Sequence, residues 1–238
     1  MDKQDFEQAT DKMIERYQSL VGSIGFLRAT RFDVLHALNQ VARFATNPQQ
    51  FHWKCLIHVS GYLRKNPTLE LNFYPSENKS TRIYALTDAA FANTDSRYST
   101  SGHLIYLDQS LVAAQSSLQR RLATSAPEAE LYEIYRASKK LIVYKGTALD
   151  FGEEIEGITI FTDSQSSVGT INNPVSSRYR FLSIYITFLR NLMSKNELEM
   201  KFISRKQNLA DVLTKQVPEE EFKTIWKSVF SPFKHVSL

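Results

Sequence analysis

The spacing of apolar residues changes near residue 80, and this change constrains the fold more than any other feature of the sequence. Before it, apolar residues recur at intervals of three and four in three stretches that reach about Lys65, a pattern typical of helices. Asn47-Pro48 separates the second stretch from the third, and Asn66-Pro67 ends the third. We therefore predict a small helical unit over residues 1–75.

Beyond residue 80 the pattern predicts strands and helices in alternation. Short polar gaps separate three strand-like segments, which predicts an antiparallel meander over 82–88, 102–107 and 111–114. The remaining predicted elements are a helix (127–144), a buried strand (157–163), helices (164–171 and 178–192), a half-exposed strand (197–203) and helical segments (209–215 and 219–230). This order predicts an α/β fold, a mixed sheet with flanking helices over residues 80–238, with the boundary between units at Pro75–Ser80.

Composition excludes several classes of protein. One cysteine in 238 residues excludes an internal disulfide framework and a zinc–thiolate cluster. No apolar run of about 18 residues occurs, so we expect no membrane partner. The polar, acidic start Met1–Asp5 does not resemble a secretory or transit peptide, which favours a cytoplasmic or nuclear location.

Charge is unevenly distributed along the chain. The net charge of +4 divides into +2 over residues 1–80, −3 over residues 81–175 and +5 over residues 176–238. An acidic centre suits cation binding and a basic tail suits a polyanion, although a mixed solvated surface is the alternative interpretation.

Two predicted strands end on an aspartate in similar contexts, Leu86-Thr87-Asp88 and Phe161-Thr162-Asp163. A strand end fixes such a carboxylate at the sheet edge, where it is well placed for function. Asp211 opens a helical segment after the strand that ends at Ile203. The alternative for Asp163 and Asp211 is helix capping.

Glu130 is a further candidate, because on a helix it lies beside the apolar stripe formed by Leu131, Ile134 and Tyr135. Acids placed together near an apolar face repel one another unless a cation lies among them. Three or four oxygen ligands without cysteine or clustered histidine select Mg²⁺ or Mn²⁺ over Zn²⁺. Two such ions can promote phosphodiester cleavage, so the residues predict a two-metal nuclease whose basic tail holds the nucleic acid backbone.

Several motifs, in order, resemble copia-type LTR retrotransposon polyproteins. Those similar to the ribonuclease H domain are DAAFA (88–92), DSRYSTSG (95–102), SAPEAELY (125–132), TDSQSS (162–167) and NLADVLTK (208–215). Those similar to the thumb and connection region of reverse transcriptase lie at 17–24, 29–34 and 48–53.

The resemblance implies a ribonuclease H-like mixed five-stranded sheet with flanking helices, preceded by a helical subdomain. It implies two magnesium ions held by Asp88, Glu130, Asp163 and Asp211, and cleavage of the RNA strand of RNA–DNA hybrids during reverse transcription. Asp88 and Asp163 would bind both ions, Glu130 would hold one ion and help to orient water, and Asp211 would complete the second site. Glu130 matches the family's helix better than Glu128, because a leucine follows it directly and an isoleucine lies four residues on.

The resemblance also implies partners and contacts. The partners would be the hybrid and the remainder of a polyprotein, with a virus-like particle as the location of an active element. Expected nucleic acid contacts are Ser164, Gln165 and Asn208, with phosphate contacts at Arg178, Arg180, Arg205 and Lys206, for which a solvated surface charge is the alternative.

The sequence departs from the family in three places. No Asp-Asp dipeptide occurs, so we expect no polymerase activity from this chain and interpret it as a truncated or remnant reading frame. Arg31-Phe32-Asp33 replaces Arg-Pro-Asp, and residues 179–184 lack the usual Lys-His-Ile-Asp-like stretch. The alternative function is therefore an inactive remnant that only binds nucleic acid or a protein partner.

Overall fold

The computed structural model describes residues 10–75, 80–173 and 182–233. The chain divides into two compact units, Met1–Glu70 and Leu71–Leu238. The division precedes the predicted boundary at Pro75–Ser80, because Tyr74 already belongs to the second unit. Its backbone N–H donates to Ser110 Oγ at 2.8 Å, and its hydroxyl donates to the Phe230 carbonyl at 3.3 Å.

The first unit is helical, with α1 (Asp11–Phe26), α2 (Leu35–Ala42) and α3 (Gln50–Lys65). Short 3-10 helices, Leu27–Ala29 and Phe32–Val34, connect α1 to α2. The apolar residues of the three- and four-residue pattern form its core, which includes Tyr17, Ile24, Val34, Leu38, Val41, Leu56 and Val59.

A buried ion pair stabilises the connection between α1 and α2. The Arg31 guanidinium donates to both carboxylate oxygens of Asp33, at 3.0 and 2.8 Å, and to the Asn66 carbonyl at 2.8 Å. The Asp33 side chain is fully buried. The aromatic ring of Phe32 is buried beside this pair, so the departure from Arg-Pro-Asp leaves the arginine and the aspartate joined.

The second unit is built on the predicted mixed five-stranded sheet. Its strands are β1 (Thr81–Ala90), β2 (Thr100–Leu107), β3 (Ser110–Leu118), β4 (Ile155–Thr162) and β5 (Glu199–Phe202). The strand order is β3-β2-β1-β4-β5. The β1–β2 and β2–β3 pairs are antiparallel, which confirms the meander, and the β1–β4 and β4–β5 pairs are parallel.

Helices cover both faces of this sheet. They are α4 (Ala126–Asp150), α5 (Gln165–Asn172), α6 (Ser183–Ser194) and α7 (Glu219–Val229), with 3-10 helices at Arg205–Gln207 and Leu209–Leu213. On one face, Ile83, Ile105 and Ile160 pack with residues of α4 and α6 such as Ile134 and Ile186. Because side chains alternate along a strand, Tyr84, Tyr106 and Phe161 face the other way, towards Phe233.

Several boundaries differ from the prediction. The segment predicted as a helix over 209–215 is a 3-10 helix, Leu209–Leu213, and the Thr214 N–H donates to the carbonyl of Asp211, three residues earlier. The strand predicted at 111–114 extends to Leu118, and the helix predicted to end at Tyr144 continues to Asp150. Of the helix predicted over 178–192, residues up to 181 lie outside the described ranges.

Gly102 permits an unusually close approach between β2 and the Leu209–Leu213 helix. A Cβ atom at this position would lie 2.7 Å from Leu213 Cβ and 2.9 Å from Thr214 Cγ2. The Leu213 contact cannot rotate away, because a Cβ atom is fixed to its backbone. A glycine at 102 therefore sets how near this helix lies to the sheet.

In the part of the chain that the structure describes, no helix is long and apolar enough to cross a bilayer.

We expect Asp33→Ala to destabilise the helical unit by about 3–5 kcal/mol, because it leaves a buried arginine without its counter-charge. Unfolding is followed by the fluorescence of Trp53 in a Trp226→Phe background. The control is Glu15→Ala, an exposed acid on α1, which should change stability by no more than about 0.5 kcal/mol. Equal stability of the two variants would contradict the role of this pair.

Gly102→Ala should lower stability, whereas Gly157→Ala should not. The first forces two backbones apart and should cost about 1–3 kcal/mol. The second lies in β4, where an added Cβ meets nothing within 4 Å, and should be neutral or slightly stabilising. Chemical denaturation of both variants measures the difference, and a Gly102→Ala protein as stable as Gly157→Ala would show that the close approach is not a constraint.

Candidate metal centre

The parallel pairing of β1 with β4 brings two predicted acids together. Thr87 of β1 is in register with Thr162 of β4, so Asp88 and Asp163 follow at equivalent positions of neighbouring strands. Both lie at the carboxyl edge of the sheet, as the repeated Thr-Asp context predicts. Asp88 is 5% exposed, and Asp163 is half-buried.

The 3-10 helix Leu209–Leu213 adds a third acid. Asp88, Asp163 and Asp211 each offer one carboxylate oxygen, and these oxygens lie within 4.8 Å of one another. Asp88 is paired across β1–β2 with Gly102. Gly102, which allows the close approach of the 3-10 helix, is therefore directly opposite Asp88 in the sheet. We call these three residues the aspartate cluster.

Neither helix-capping alternative describes the aspartates. Ser164 caps α5, where its hydroxyl accepts from the Ser167 N–H at 3.3 Å. Asn208 caps the Leu209–Leu213 helix by accepting from the Ala210 N–H at 3.2 Å. The carboxylates of Asp163 and Asp211 are therefore not engaged as caps.

Glu130 lies beside the cluster on α4, the helix that packs against β1. Its Oε2 atom is buried and has no hydrogen-bond partner among the described residues. Burial and the charges of Asp88 and Asp163 raise the pKa of Glu130 well above its usual value, although the Ala89 backbone N–H partly offsets this. It stands outside the 4.8 Å group that the three aspartates form.

Glu128 differs from Glu130 because both of its carboxylate oxygens accept hydrogen bonds within the protein. Its Oε1 accepts from Arg121 at 2.6 Å, and its Oε2 accepts from the N–H and hydroxyl of Thr124 at 2.7 and 2.5 Å. The preference for Glu130 over Glu128 thus agrees with the orientation of the two side chains, one towards the aspartates and the other towards its own loop.

The carboxylates of the aspartate cluster are buried or partly buried and repel one another. Burial and the neighbouring Asp211 raise the pKa of Asp88 to about 7, with a smaller contribution from Asp163. The Thr214 hydroxyl donates to Asp88, and the Lys215 ammonium is paired with Asp211; both lower the pKa of Asp88 in part. Asp211 Oδ1 is buried without a partner among the described residues.

Oxygen donors alone make up this site. A divalent cation would be held by Asp88, Asp163 and Asp211, with Glu130 adjacent. Two buried carboxylate oxygens, Glu130 Oε2 and Asp211 Oδ1, receive no hydrogen bond from the residues that the structure describes, although buried polar atoms normally have one. The residues therefore fit a hard cation such as Mg²⁺ or Mn²⁺.

The predicted nucleic acid contacts fall into three groups. Gln165, Arg205 and Lys206 are exposed, and Ser164 is partly exposed. The Arg205 guanidinium is 3.7 Å from Asp211 Oδ2.

Asn208 is 3% exposed, and its amide donates to the Thr87 carbonyl at 2.9 Å and to Asp163 at 3.2 Å. Asn208 is therefore engaged with Asp163 and with the β1 backbone inside the protein, and Arg178 and Arg180 lie outside the described residues.

Three residues near the cluster were missed by sequence reasoning: Gly102, Thr214 and Lys215. All three lie inside the motifs singled out above, but only Lys215 carried a physical signal. It follows Asp211 by four residues, a spacing at which opposite charges meet on a helical turn. Nothing local in the sequence indicates that Thr214 reaches Asp88, 126 residues away.

Comparison with known proteins identifies relatives along most of the chain. The chain is 30% identical over 210 residues, 87% of its length, to the Retrovirus-related Pol polyprotein from transposon TNT 1-94 of Nicotiana tabacum. It is 26% identical over 235 residues, 94% of its length, to the Transposon Ty1-JR2 Gag-Pol polyprotein of Saccharomyces cerevisiae. The chain spans 16% and 13% of these two relatives. No protein-family model matches it.

Solved structures are similar to parts of the chain. The foamy viral protease-reverse transcriptase in complex with dsDNA matches 80% of this chain and 38% of its own, with a TM-score of 0.50 and 13% sequence identity. LC11-RNase H1 in complex with an RNA/DNA hybrid matches 57% of this chain and 94% of its own, with a TM-score of 0.44 and 16% identity. The chain shares its fold with the matched part of the foamy viral structure, and it is homologous to a segment of the Pol polyproteins of copia-type retrotransposons.

Proposed function

We propose that this chain is a divalent-metal-dependent ribonuclease H that cleaves the RNA strand of RNA–DNA hybrids during reverse transcription of a copia-type element. The aspartate cluster carries the proposal. Three aspartates, from β1, from the residue after β4 and from the Leu209–Leu213 helix, meet at one sheet edge with Glu130 of α4 beside them. Asp211 and Glu130 each have a buried carboxylate oxygen without a hydrogen-bond partner among the described residues. The relatives are Pol polyproteins, which supports the setting in reverse transcription.

The proposed roles of the residues are metal binding and positioning of the metal ligands. Asp88, Asp163 and Asp211, with Glu130, would hold two magnesium ions. When bound, such ions lower the pKa of water and stabilise charge on the leaving oxygen of a phosphodiester. Asn208 orients Asp163 through its amide, and Thr214 orients Asp88 through its hydroxyl. The proposed partners are the hybrid and the remainder of a Pol polyprotein, and the proposed location is the cytoplasm or a virus-like particle, with the nucleus as a second setting.

An inactive remnant is the second candidate function. It rests on the altered stretch 179–184, of which residues 179–181 lie outside the described ranges. All four acids are present, so the proposal of an active nuclease depends on substrate contacts as well as on the metal centre. The two candidates differ in whether RNA is cut.

Cleavage of a hybrid labelled on its RNA strand tests the proposed function. We expect Mg²⁺-dependent products from the wild type. Asp163→Asn and Glu130→Gln should each lower the rate by more than about a hundredfold, since loss of a residue that only supports a metal ligand already costs about 10–100-fold. The matched control is Glu128→Gln, which should retain most activity because Glu128 faces its own loop. Equal rates for the wild type and Asp163→Asn would refute the assignment, and binding without any cut product would favour the remnant.

Stability in the absence of metal should depend on pH through Asp88. A carboxyl with a raised pKa holds its proton in the folded state while the unfolded chain releases it, so the free energy of unfolding falls as pH rises between about 4 and 7. In EDTA, Asp88→Asn should therefore unfold at a higher temperature than the wild type near pH 8. That advantage should shrink near pH 5, with each kcal/mol worth about 2–4 °C.

The control for this measurement is Asp150→Asn, an exposed acid at the end of α4. It should show no such difference between the two pH values. Added Mg²⁺ should raise the unfolding temperature of the wild type near pH 8 and leave Asp88→Asn almost unchanged. A constant offset between Asp88→Asn and the wild type at both pH values would contradict the electrostatic account.

A further inference from the structure

The loop that joins β1 to β2 stands at the same sheet edge as the aspartate cluster. It spans residues 91–99, between Ala90 and Thr100, the last pair of the β1–β2 ladder. Asp88 lies two residues before Ala90. We call residues 91–99 the hairpin loop. The loop contains residues 95–99 of the DSRYSTSG motif (95–102). Of that motif, only Gly102 has been given a role in building the metal centre.

Hydrogen bonds fix the hairpin loop to the aspartate cluster. The Ala92 N–H donates to Ser99 Oγ at 3.1 Å, and the Thr100 hydroxyl donates to Asn93 Oδ1 at 2.9 Å. The Asn93 amide in turn donates to the Thr214 carbonyl at 3.0 Å. The hydroxyl of Thr214 donates to Asp88, so hydrogen bonds through Thr214 connect the loop to the aspartate cluster.

The tip of the hairpin loop has an arginine in a left-handed conformation. Arg97 has φ 61°, and its N–H donates to the Thr94 carbonyl at 2.8 Å. Side chains with a Cβ rarely adopt this conformation, which glycine adopts without strain. Arginine at this position therefore carries a conformational cost that glycine would avoid, and strained residues of this kind concentrate at functional sites.

The side chain of Arg97 is free to bind a ligand. It is exposed, and it makes no ion pair or side-chain hydrogen bond with the residues that the structure describes. By contrast, Arg205 and Lys215 are both within ion-pair distance of Asp211. Asp95 is the other charged residue of the loop and is exposed as well.

We propose that Arg97 is a phosphate-binding residue that anchors the nucleic acid backbone beside the metal centre, an inference that rests on the proposed function. Counting extended residues along β1 and β2, Arg97 lies within about 22 Å of Asp88, which is about six base pairs along a duplex axis. A duplex whose scissile bond meets the acids is therefore long enough to reach the loop. The acids repel a polyanion, so a cation held rigidly nearby offsets that repulsion.

Fluorescence anisotropy tests the proposal with a labelled RNA–DNA hybrid in EDTA, over a series of salt concentrations. Arg97→Gly should weaken binding about three- to tenfold at low salt and make the slope of log K against log[salt] shallower by about 1. Arg97→Lys keeps the charge and should keep the slope. Thermal unfolding should show Arg97→Gly at least as stable as the wild type, because glycine tolerates the left-handed conformation.

Two controls lie at the opposite edge of the sheet, in the turn between α6 and β5. Asn196→Gly replaces another exposed left-handed residue, φ 55°, and Lys195→Ala removes another exposed cation. Both should leave affinity and salt slope unchanged. Binding by Arg97→Gly equal to the wild type, an equal effect of Lys195→Ala, or no hybrid binding by the wild type would overturn the proposal. Hybrid binding that depends on Arg97 without cleavage in Mg²⁺ would overturn only the proposed nuclease function.

Discussion

Mutual repulsion among carboxylates at one sheet edge is the constraint on which the second unit depends. Asp88, Asp163 and Asp211 have oxygens within 4.8 Å of one another, and Glu130 is buried beside them. In water such charges would separate, but three regular elements and a 3-10 helix hold them together. The protein partly compensates with the Thr214 hydroxyl and the Lys215 ammonium. The remaining unfavourable energy is what a divalent cation would relieve.

Backbone packing makes this arrangement possible. The parallel register of β1 with β4 puts two aspartates side by side, and Gly102 lets the Leu209–Leu213 helix approach β2 closely enough to add the third. Asn208 then joins the helix to both strands, since its amide reaches the Thr87 carbonyl and Asp163. The site is therefore a consequence of close main-chain contacts rather than of flexible side chains.

Much of this architecture could be predicted from the sequence. Alternating apolar residues predicted the mixed sheet, and the repeated Thr-Asp context at two strand ends predicted that Asp88 and Asp163 meet. The 3-10 character of Leu209–Leu213 could not be predicted, because the apolar spacing of so short a segment fits an α-helix as well. The burial of Asn208 depends on contacts with residues far away in the chain, and so does the approach of Thr214 to Asp88. The ordered set of motifs implied the four acids together, although their roles in catalysis stay predictions.

The central claim is that the acids form one cation site, and calorimetric titration with Mg²⁺ near pH 8 tests it most directly. The account predicts saturable binding to the wild type and its loss in Asp88→Asn, since this aspartate is the most enclosed member of the aspartate cluster. Identical titration curves for the two proteins, or no heat of binding in either, would show that the carboxylates meet without forming a metal centre.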